Sequence, residues 1–234
     1  MPVYNFFLLS SSTSCFIWKI EESLKKLRLQ LHPHFLKDFQ NANLSSKDRM
    51  RQSLAVRIAL YCLLKKLNLP ILRLAKNKYG SPILANSSFY ISFTHTHYLA
   101  AVALSTAYPI GIDIEMVKSS LYTIQKKYLN AEEIESANGS LEKLAIYWSA
   151  KEALYKRLNK QPIPTLKDIF VQPFQLASEG EVIAHLYQKK YKMGYQQIVD
   201  RALPRHVLVY SAHELNVSMT ANETSVKPHS LTQV

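Results

Sequence analysis

Three short apolar runs lie close together in the middle of the chain and constrain the fold more than any other feature. They cover residues 89–94, 99–104 and 110–114, and the first is rich in aromatic and β-branched residues. Runs of this length with brief polar connections are typical of β-strands. Connections this short suit antiparallel neighbours and leave no room for the helical crossover that parallel strands require. The spacing therefore predicts antiparallel sheets in place of repeated βαβ units.

Helices are predicted on both sides of these strands. In residues 44–67 the apolar side chains of Leu54, Ile58 and Leu64 recur at helical spacing, with basic residues between them. Both halves of the chain combine helices with strands, which predicts the α+β class. Further helices are predicted over 131–138 and 140–158, and further strands over 3–9, 169–171, 182–187 and 206–212.

The ends of the chain predict a cytoplasmic protein with a flexible C-terminal tail. Residues 6–9 are apolar, but no Lys or Arg precedes them and the run is too short for an export signal. Cys15 and Cys62 form no C-x-x-C pair, which suits a reducing compartment. No run approaches the roughly 18 apolar residues of a membrane-spanning helix. Residues 215–234 lack aromatic residues and are rich in Ser, Thr and Asn, which predicts the tail.

Glycine content and charge narrow the possible functions. The chain has 5 glycines in 234 residues, and no two are spaced for a G-x-G-x-x-G or G-x-x-x-x-G-K-[ST] loop. This excludes the glycine-rich dinucleotide folds and the P-loop enzymes, so a bound phosphate would need side chains, helix ends or a metal ion. The 29 Lys and Arg residues exceed the 17 Asp and Glu residues by 12. Such an excess attracts nucleic acid, phosphorylated cofactors, membrane surfaces or acidic proteins, and composition does not choose among them.

Two acidic side chains on one predicted strand are the first candidate for a metal site. Residues 111–115 read GIDIE. Alternation along a strand places Asp113 and Glu115 on one face and the two isoleucines on the other. Neighbouring carboxylates repel each other unless a cation or a proton lies between them, and Mg²⁺ prefers such oxygen ligands. Taken alone, this triplet is more often a solvated strand face.

The last two predicted helices carry further charged residues in suggestive positions. Trp148, Glu152 and Lys156 are four residues apart and share one helix face. Glu152 could supply a third carboxylate and Lys156 a cation one turn further on, although in isolation an ordinary Glu–Lys helix pair is the simpler interpretation. Glu133 follows Asn130 by three residues, which is a capping-box spacing at the start of a helix.

Two histidines follow the first central strand. His95 and His97 belong to the segment SFTHTH, residues 92–97, where a loop can position functional side chains. No third zinc ligand lies at a recognisable spacing, which argues against zinc. A histidine cation facing a phosphate and a structural histidine that caps the loop are both compatible with the sequence.

Four segments of the chain together resemble the 4′-phosphopantetheinyl transferase superfamily, specifically its longer Sfp-type members. The family has a G-[IV]-D-x-E strand followed later in the chain by W-[ST]-x-K-E-[AS]-x-x-K. Residues 111–115 and 148–156 match both patterns position by position. Residues 92–96 match the family's F-N-[IL]-S-H-S element in outline, and residues 80–82 correspond to its G-K-P turn. The resemblance covers roughly residues 45–212.

The resemblance implies a ligand set and a reaction. Asp113, Glu115 and Glu152 would be ligands of Mg²⁺. Lys156 would contact the phosphates of coenzyme A, and His95 would lie near its 3′-phosphate. The reaction would transfer 4′-phosphopantetheine from coenzyme A to a serine of an acyl or peptidyl carrier protein and release 3′,5′-ADP. Phosphoryl transfer needs charge neutralisation and positioning more than covalent help.

The resemblance also implies roles for positions at which the alignment with the family is less close. Arg49 and Arg57, on the predicted basic helix, would contact the adenylate and its phosphates. The lysine of the family's turn is Ser81 here, and Lys78 is a candidate to replace it.

The catalytic residues implied by the resemblance are Glu133, Glu152 and Lys156. A carboxylate must accept the serine proton, and Glu133 matches the family position proposed as this base. Glu152 is the alternative base, and Lys156 would add positive charge near the phosphates.

The resemblance also implies an architecture and partners. The fold would be a pseudo-dimer of two similar α/β halves, each a small, mostly antiparallel sheet packed with helices. Residues 1–108 would form the coenzyme A side, residues 109–214 the metal-binding half, and residues 215–234 the tail. The expected molecule is a monomer that binds coenzyme A and an acidic carrier protein, and it binds neither nucleic acid nor membrane.

Two other interpretations compete with the transferase. A nucleic-acid-binding module would explain the basic charge, but the sequence has no clustered basic stripe with interleaved aromatic residues. A catalytically silent relative would explain Ser81 and the altered segment at 92–96. The intact set of three carboxylates favours the enzyme over both.

Overall fold

The chain folds as an α+β protein with antiparallel sheets, as predicted. The structure is a computed structural model that describes residues 3–42, 44–158 and 165–215. The strands are β1 (Val3–Ser10), β2 (Thr13–Lys19), β3 (Leu74–Lys76), β4 (Pro82–Leu84), β5 (Tyr90–His95), β6 (Leu99–Ser105), β7 (Ile112–Met116), β8 (Ile169–Val171), β9 (Glu179–Leu186), β10 (Lys189–Ile198) and β11 (His206–Leu215). The helices are α1 (Leu24–Gln30), α2 (Leu36–Asn41), α3 (Lys47–Lys66), α4 (Ser120–Tyr128), α5 (Ala131–Ala137) and α6 (Leu141–Leu158), and Pro33–Phe35 forms a 3-10 turn.

The first half of the chain builds a four-stranded antiparallel sheet covered by one long helix. The strand order is β1-β2-β6-β5, and α3 packs against β2 and β6. Leu54, Leu60 and Leu64 of α3 are fully buried in this core. Each such leucine contributes roughly 1.5–3 kcal/mol when it leaves water, so the helical apolar period holds α3 on the sheet.

The second half builds a five-stranded antiparallel sheet with α6 packed across it. The strand order is β7-β11-β10-β9-β8, and Leu144, Ala150 and Leu154 of α6 are fully buried against it. The prediction that the run at 110–114 pairs with the two runs before it is wrong, because β7 pairs with β11. The connection between β6 and β7 is short, yet it crosses from one sheet to the other.

A third apolar cluster joins the two sheets. Ile17 and Ala101 come from the first sheet, and Ile112, Ile114 and Leu208 come from the second. The two isoleucines of β7 therefore face this shared core, as their alternation predicts. The acidic residues of β7 project to the other side of the strand.

The predicted domain boundary between residues 108 and 109 falls in the connection between β6 and β7. The two sheets differ in strand number and in strand order. The division into two domains and the pseudo-dimer stay predictions.

Residues 77–82, which include the counterpart of the family's G-K-P turn, form the turn that joins β3 to β4. The Asn77 side-chain oxygen accepts hydrogen bonds from the amides of Tyr79 (2.9 Å) and Ser81 (3.1 Å). Gly80 has a φ of +84°, a conformation that side chains other than hydrogen disfavour. The turn brings residues 79–82 to the wall of the cleft described below.

The C-terminal strand extends into the segment predicted to be a tail. Leu215 ends β11, and residues 216–234 of the predicted tail lie outside the described residues. In the part of the chain that the structure describes, no helix is both long enough and apolar enough to cross a membrane.

Gly111 allows the start of β7 to approach α6 closely. A Cβ atom at this position would lie 1.9 Å from the carbonyl oxygen of Ala153 and 2.7 Å from the amide nitrogen of Arg157. Because both are backbone atoms of α6, the helix would have to move away from the strand. We expect Gly111→Ala to lower the free energy of unfolding by about 1–3 kcal/mol in urea denaturation. A variant as stable as the unsubstituted protein would contradict this close contact.

Candidate functional site

Asp113 and Glu115 lie on β7, where the edges of the two sheets meet. β7 ends the second sheet and β5 ends the first. The amides of the two β7 isoleucines donate to hydroxyl oxygens of β5, namely Ser92 Oγ (3.1 Å) and Thr94 Oγ1 (3.0 Å). These side chains satisfy backbone donors that β11 does not pair, so the acidic strand is attached to both halves of the molecule.

Asp113 is held by three donors from β5 and α6. Its Oδ1 accepts from Lys156 Nζ (2.8 Å) and from Thr94 Oγ1 (3.0 Å), and its Oδ2 accepts from Ser149 Oγ (2.9 Å). Lys156 Nζ also donates to the backbone oxygen of Ile112 at 3.1 Å. Asp113 is buried, and a buried carboxylate with three donors is a well-stabilised anion.

Glu115 is half-buried and also has a cationic neighbour. Its Oε1 accepts from the amide of Met116 (2.8 Å) and lies 3.0 Å from Lys118 Nζ. The two acidic residues of β7 are therefore each balanced by a lysine, Asp113 by Lys156 and Glu115 by Lys118.

Glu152 lies on α6 and shares the electrostatic environment of the β7 carboxylates. Burial raises the pKa of Glu152, and the negative charge of Asp113 raises it further. Lys156 lowers this pKa in part, and Glu115 adds a smaller increase. Asp113 and Glu115 are thus both close enough to disfavour the charged form of Glu152, and this repulsion favours a proton or a cation beside it.

The predicted metal ligands do not converge on one point in this structure. Within the described residues, no three His, Cys, Asp or Glu side chains form a group that could hold a metal ion as they stand. Asp113 and Glu115 instead turn toward ammonium groups. The assignment of these carboxylates and Glu152 to a metal ion stays a prediction.

His95 ends β5 and faces a cationic neighbourhood. Its pKa is lowered to about 4, first by burial and then by the positive charges of Arg49 and Lys156, while Asp113 opposes the shift. The imidazole is therefore neutral at pH 7. The predicted phosphate contacts Arg49, His95 and Lys156 come together from three different elements, and the positive charges of Arg49 and Lys156 create a potential that favours an anion.

Glu133 occupies a fully buried structural position. Its Oε2 accepts from the amide of Asn130 (2.9 Å) and from Lys151 Nζ (2.8 Å), and its Oε1 accepts from the amide of Val171 (2.8 Å). Asn130 completes the predicted capping box by accepting from the amide of Glu133. Both oxygens are occupied and the side chain is 0% exposed, so this geometry does not favour a role as the base for an external hydroxyl.

A cleft of about 680 Å³ opens beside Lys156. Its walls come from both halves of the chain and include the rings of Tyr79, Tyr90 and Tyr155. Aromatic walls with convergent cations suit a ligand that carries both a ring system and phosphate groups. The basic lining residues are Arg57, Lys76, Lys156 and Arg157.

Two predicted cofactor contacts differ in their relation to this cleft. Arg57 lines it, but its guanidinium is already paired with the carboxylate of Asp38, with Nε 2.8 Å from Oδ2. Lys78 is not among the residues that line the cleft, and its ammonium lies 4.9 Å from the centre of the Tyr79 ring. Lys76, at the end of β3, is the lysine that this segment contributes to the wall.

Sequence reasoning missed the side chains that hold the predicted site residues in place. Thr94 and Ser149 bind Asp113, and Lys151 binds Glu133. Ser149 lies in the segment WSAKE, from which the four-residue spacing selects only Trp148 and Glu152. Thr94 shares a strand face with Ser92 through the period of two, which could have pointed to a row of hydroxyl groups.

Comparison with protein families supports the class of protein that the residues indicate. Residues 109–208 match the model of the 4′-phosphopantetheinyl transferase superfamily. The matched segment contains β7 and α6, and with them the three candidate ligands and Lys156. None of the curated proteins matches the chain.

Proposed function

We propose that the protein is an Mg²⁺-dependent 4′-phosphopantetheinyl transferase of the Sfp type, with coenzyme A as donor. The acceptor is a serine hydroxyl of an acyl or peptidyl carrier protein. The observation that carries the proposal is the ion pair of Asp113 with Lys156, a residue that lines a basic cleft, with Glu152 in the same electrostatic environment. Glu115, two residues further along β7, is the third carboxylate. The match of residues 109–208 to the transferase superfamily supports the same class of reaction.

The cleft suits the nucleotide end of coenzyme A. Tyr79 and Tyr90 offer ring faces for the adenine, and Lys76 and Arg157 offer charge for phosphates. His95 and Arg49 would face the 3′-phosphate. The negative charge of that phosphate would raise the lowered pKa of His95 toward neutrality.

The three carboxylates fit Mg²⁺ by their chemistry. All donors are hard oxygens. Burial first, and then the negative charges of Asp113 and Glu115, raise the pKa of Glu152, and a divalent cation would offset those charges. When bound, the ion would neutralise the pyrophosphate and stabilise the leaving group. Lys156, which already lines the cleft, would exchange Asp113 for a phosphate of the cofactor.

The reaction forms one phosphorus–oxygen bond and breaks another. The serine oxygen of the carrier attacks the phosphorus that bears the pantetheine, and the bond from that phosphorus to the bridging oxygen breaks. The electron pair leaves with 3′,5′-ADP. Lys156 would offset the charge that develops on the phosphate oxygens.

Glu152 is the better candidate for the residue that takes up the serine proton. Glu152 is half-buried and shares a helix face with Lys156, which lines the cleft, so a substrate hydroxyl can approach it more readily than the fully buried Glu133. Glu133 is buried and holds three donors of its own. We therefore assign the base to Glu152 and a structural role to Glu133.

The charge of the chain suits the proposed acceptor. An excess of 12 basic residues would steer an acidic carrier protein toward the site. We further propose that the protein acts as a cytoplasmic monomer whose two halves, residues 1–108 and 109–214, form a pseudo-dimer around the cleft.

Intact-mass spectrometry tests the proposal directly. The protein is incubated with coenzyme A, Mg²⁺ and an apo carrier protein, and the carrier should gain about 340 Da, the mass of the phosphopantetheine arm. The gain should vanish with a chelator and with a carrier whose acceptor serine is replaced by alanine. No gain across several carriers would contradict the enzyme and favour the catalytically silent relative.

A further inference from the structure

We infer that Thr94 and Ser149 are positioning residues that orient the carboxylate of Asp113 toward a metal ion. The inference rests on the proposed function, because it concerns the ion that Asp113 would bind. It follows from the hydrogen bonds that two hydroxyl groups, one from each half of the chain, donate and accept.

The direction of the Thr94 hydroxyl is determined by the backbone beside it. Thr94 Oγ1 lies 3.0 Å from the amide nitrogen of Ile114 and 3.0 Å from Asp113 Oδ1. An amide can only donate, so the hydroxyl oxygen accepts from Ile114. The single hydroxyl hydrogen is then left for the carboxylate. Because Thr94 is buried, water does not compete for this hydrogen.

Ser149 donates a hydrogen bond to the other oxygen of the same carboxylate. Its Oγ lies 2.9 Å from Asp113 Oδ2, and the side chain is fully buried on α6. An ionised carboxylate only accepts, so Ser149 is the donor. Rotation of the Asp113 carboxyl group would break the bonds to Thr94 and to Ser149 together. The plane of the carboxylate is therefore set relative to β5 and α6 at once.

This arrangement leaves capacity on Oδ2 of Asp113, and on Oδ1 only after Lys156 moves away. A carboxylate oxygen has about two acceptor sites. Oδ2 uses one for Ser149, whereas Oδ1 uses two, for Thr94 and Lys156. Once Lys156 turns to a phosphate, each oxygen keeps one site for the cation. Partners that orient a ligand in this way typically change metal affinity by about 10- to 100-fold.

Manganese binding measures this role without relying on activity. Mn²⁺ accepts the same oxygen ligands as Mg²⁺, and its free concentration is read by electron paramagnetic resonance with saturating coenzyme A present. Thr94→Val and Ser149→Ala should each raise the Mn²⁺ dissociation constant by about 10- to 100-fold. Thr94→Ser keeps the hydroxyl group and should bind Mn²⁺ like the unsubstituted protein.

Ser92→Ala is the matched control. Ser92 Oγ accepts from the amide of Ile112 (3.1 Å), the same kind of bond between β5 and β7 that Thr94 makes with Ile114, but Ser92 forms no bond to Asp113. Ser92→Ala should therefore weaken the junction of the two sheets and leave Mn²⁺ affinity unchanged. Equal losses of affinity in Thr94→Val and Ser92→Ala would show that Thr94 only joins the sheets.

The outcomes separate this inference from the proposed function. If the unsubstituted protein binds no Mn²⁺, the metal site itself is wrong and the positioning role is rejected with it. If it binds Mn²⁺ and neither substitution weakens binding, only the positioning role is overturned. Should Thr94→Val fail to fold, Ser149→Ala decides the question, because alanine is favoured in a helix interior.

Discussion

Asp113→Asn is expected to abolish phosphopantetheine transfer and to leave the fold intact. The substitution removes one negative charge from the proposed Mg²⁺ site, which also relieves the repulsion on Glu152. We expect the transfer rate to fall by about a thousandfold or more, since both the ion and the charge balance at the pyrophosphate would be lost. The intact-mass assay on an apo carrier protein, followed over time, measures the rate.

The fold should survive because asparagine can keep the local hydrogen bonds. The amide oxygen can accept from Thr94 and Lys156, and the amide nitrogen can donate to Ser149 after its hydroxyl turns. Thermal unfolding and circular dichroism should therefore resemble those of the unsubstituted protein. An inactive variant that is also unfolded would leave the loss of activity attributable to the fold, so both measurements belong together.

Glu181→Gln is the matched control for this prediction. It removes the same charge from an exposed ion pair with Lys192 on the second sheet, away from the carboxylates and the cleft. Transfer should continue at an essentially unchanged rate, because a surface ion pair contributes only about 0–1 kcal/mol to stability. Full activity in Asp113→Asn would refute the metal assignment.

Periodicity was enough to predict most of the elements that carry the candidate site. Helix α3 was predicted from its apolar spacing, and β5 from its aromatic and β-branched residues. The alternation in residues 111–115 correctly placed both isoleucines in the core. These features are local, because each depends on residues within one or two turns or strand repeats.

Pairings between distant segments could not be predicted in this way. β7 follows β6 closely in sequence but pairs with β11, more than eighty residues later. Strand β10 was missed although Tyr191, Met193 and Tyr195 recur at a period of two and are all buried in the core. The polar residues at 189–190 and 196–197 obscure this alternation in the sequence, and the strand is paired on both sides by β9 and β11.

The environment of each site residue depends on how these distant elements meet. Asp113 obtains its donors where β5, β7 and α6 converge, and no spacing within one element reveals that meeting point. Glu133 shows the same effect in reverse, since its family position suggests a base while the contacts of α5 with α6 and β8 bury it. Tertiary contacts therefore decide which of the two candidate carboxylates remains accessible.

The burial of Glu133 leads to the second large prediction. We expect Glu133→Gln to lower the free energy of unfolding by about 3–5 kcal/mol, because it leaves the fully buried ammonium of Lys151 without its counter-charge. Burial lowers the pKa of Lys151, and Glu133 is the neighbour that most strongly opposes this shift. Urea denaturation followed by fluorescence measures the difference.

Two further variants separate the charge pair from other effects of the substitution. Glu132→Gln removes the same charge from the first turn of the same helix, but Glu132 is exposed, so we expect a loss of only about 0.3–1 kcal/mol. Lys151→Met removes the other partner of the buried pair. Combined with Glu133→Gln, it should cost less than the sum of the two single changes, because neither charge then remains buried alone.

The transfer activity of Glu133→Gln tests whether Glu133 is the base. If Glu133 is structural, the folded fraction of Glu133→Gln should retain transfer activity, while Glu152→Gln should lose it without a comparable loss of stability. Suppose instead that Glu133→Gln is as stable as the unsubstituted protein and yet transfers no phosphopantetheine. This result would identify Glu133 as the base. Such a result would require Glu133 to leave its buried ion pair with Lys151 during the reaction, at a cost set by that uncompensated ammonium.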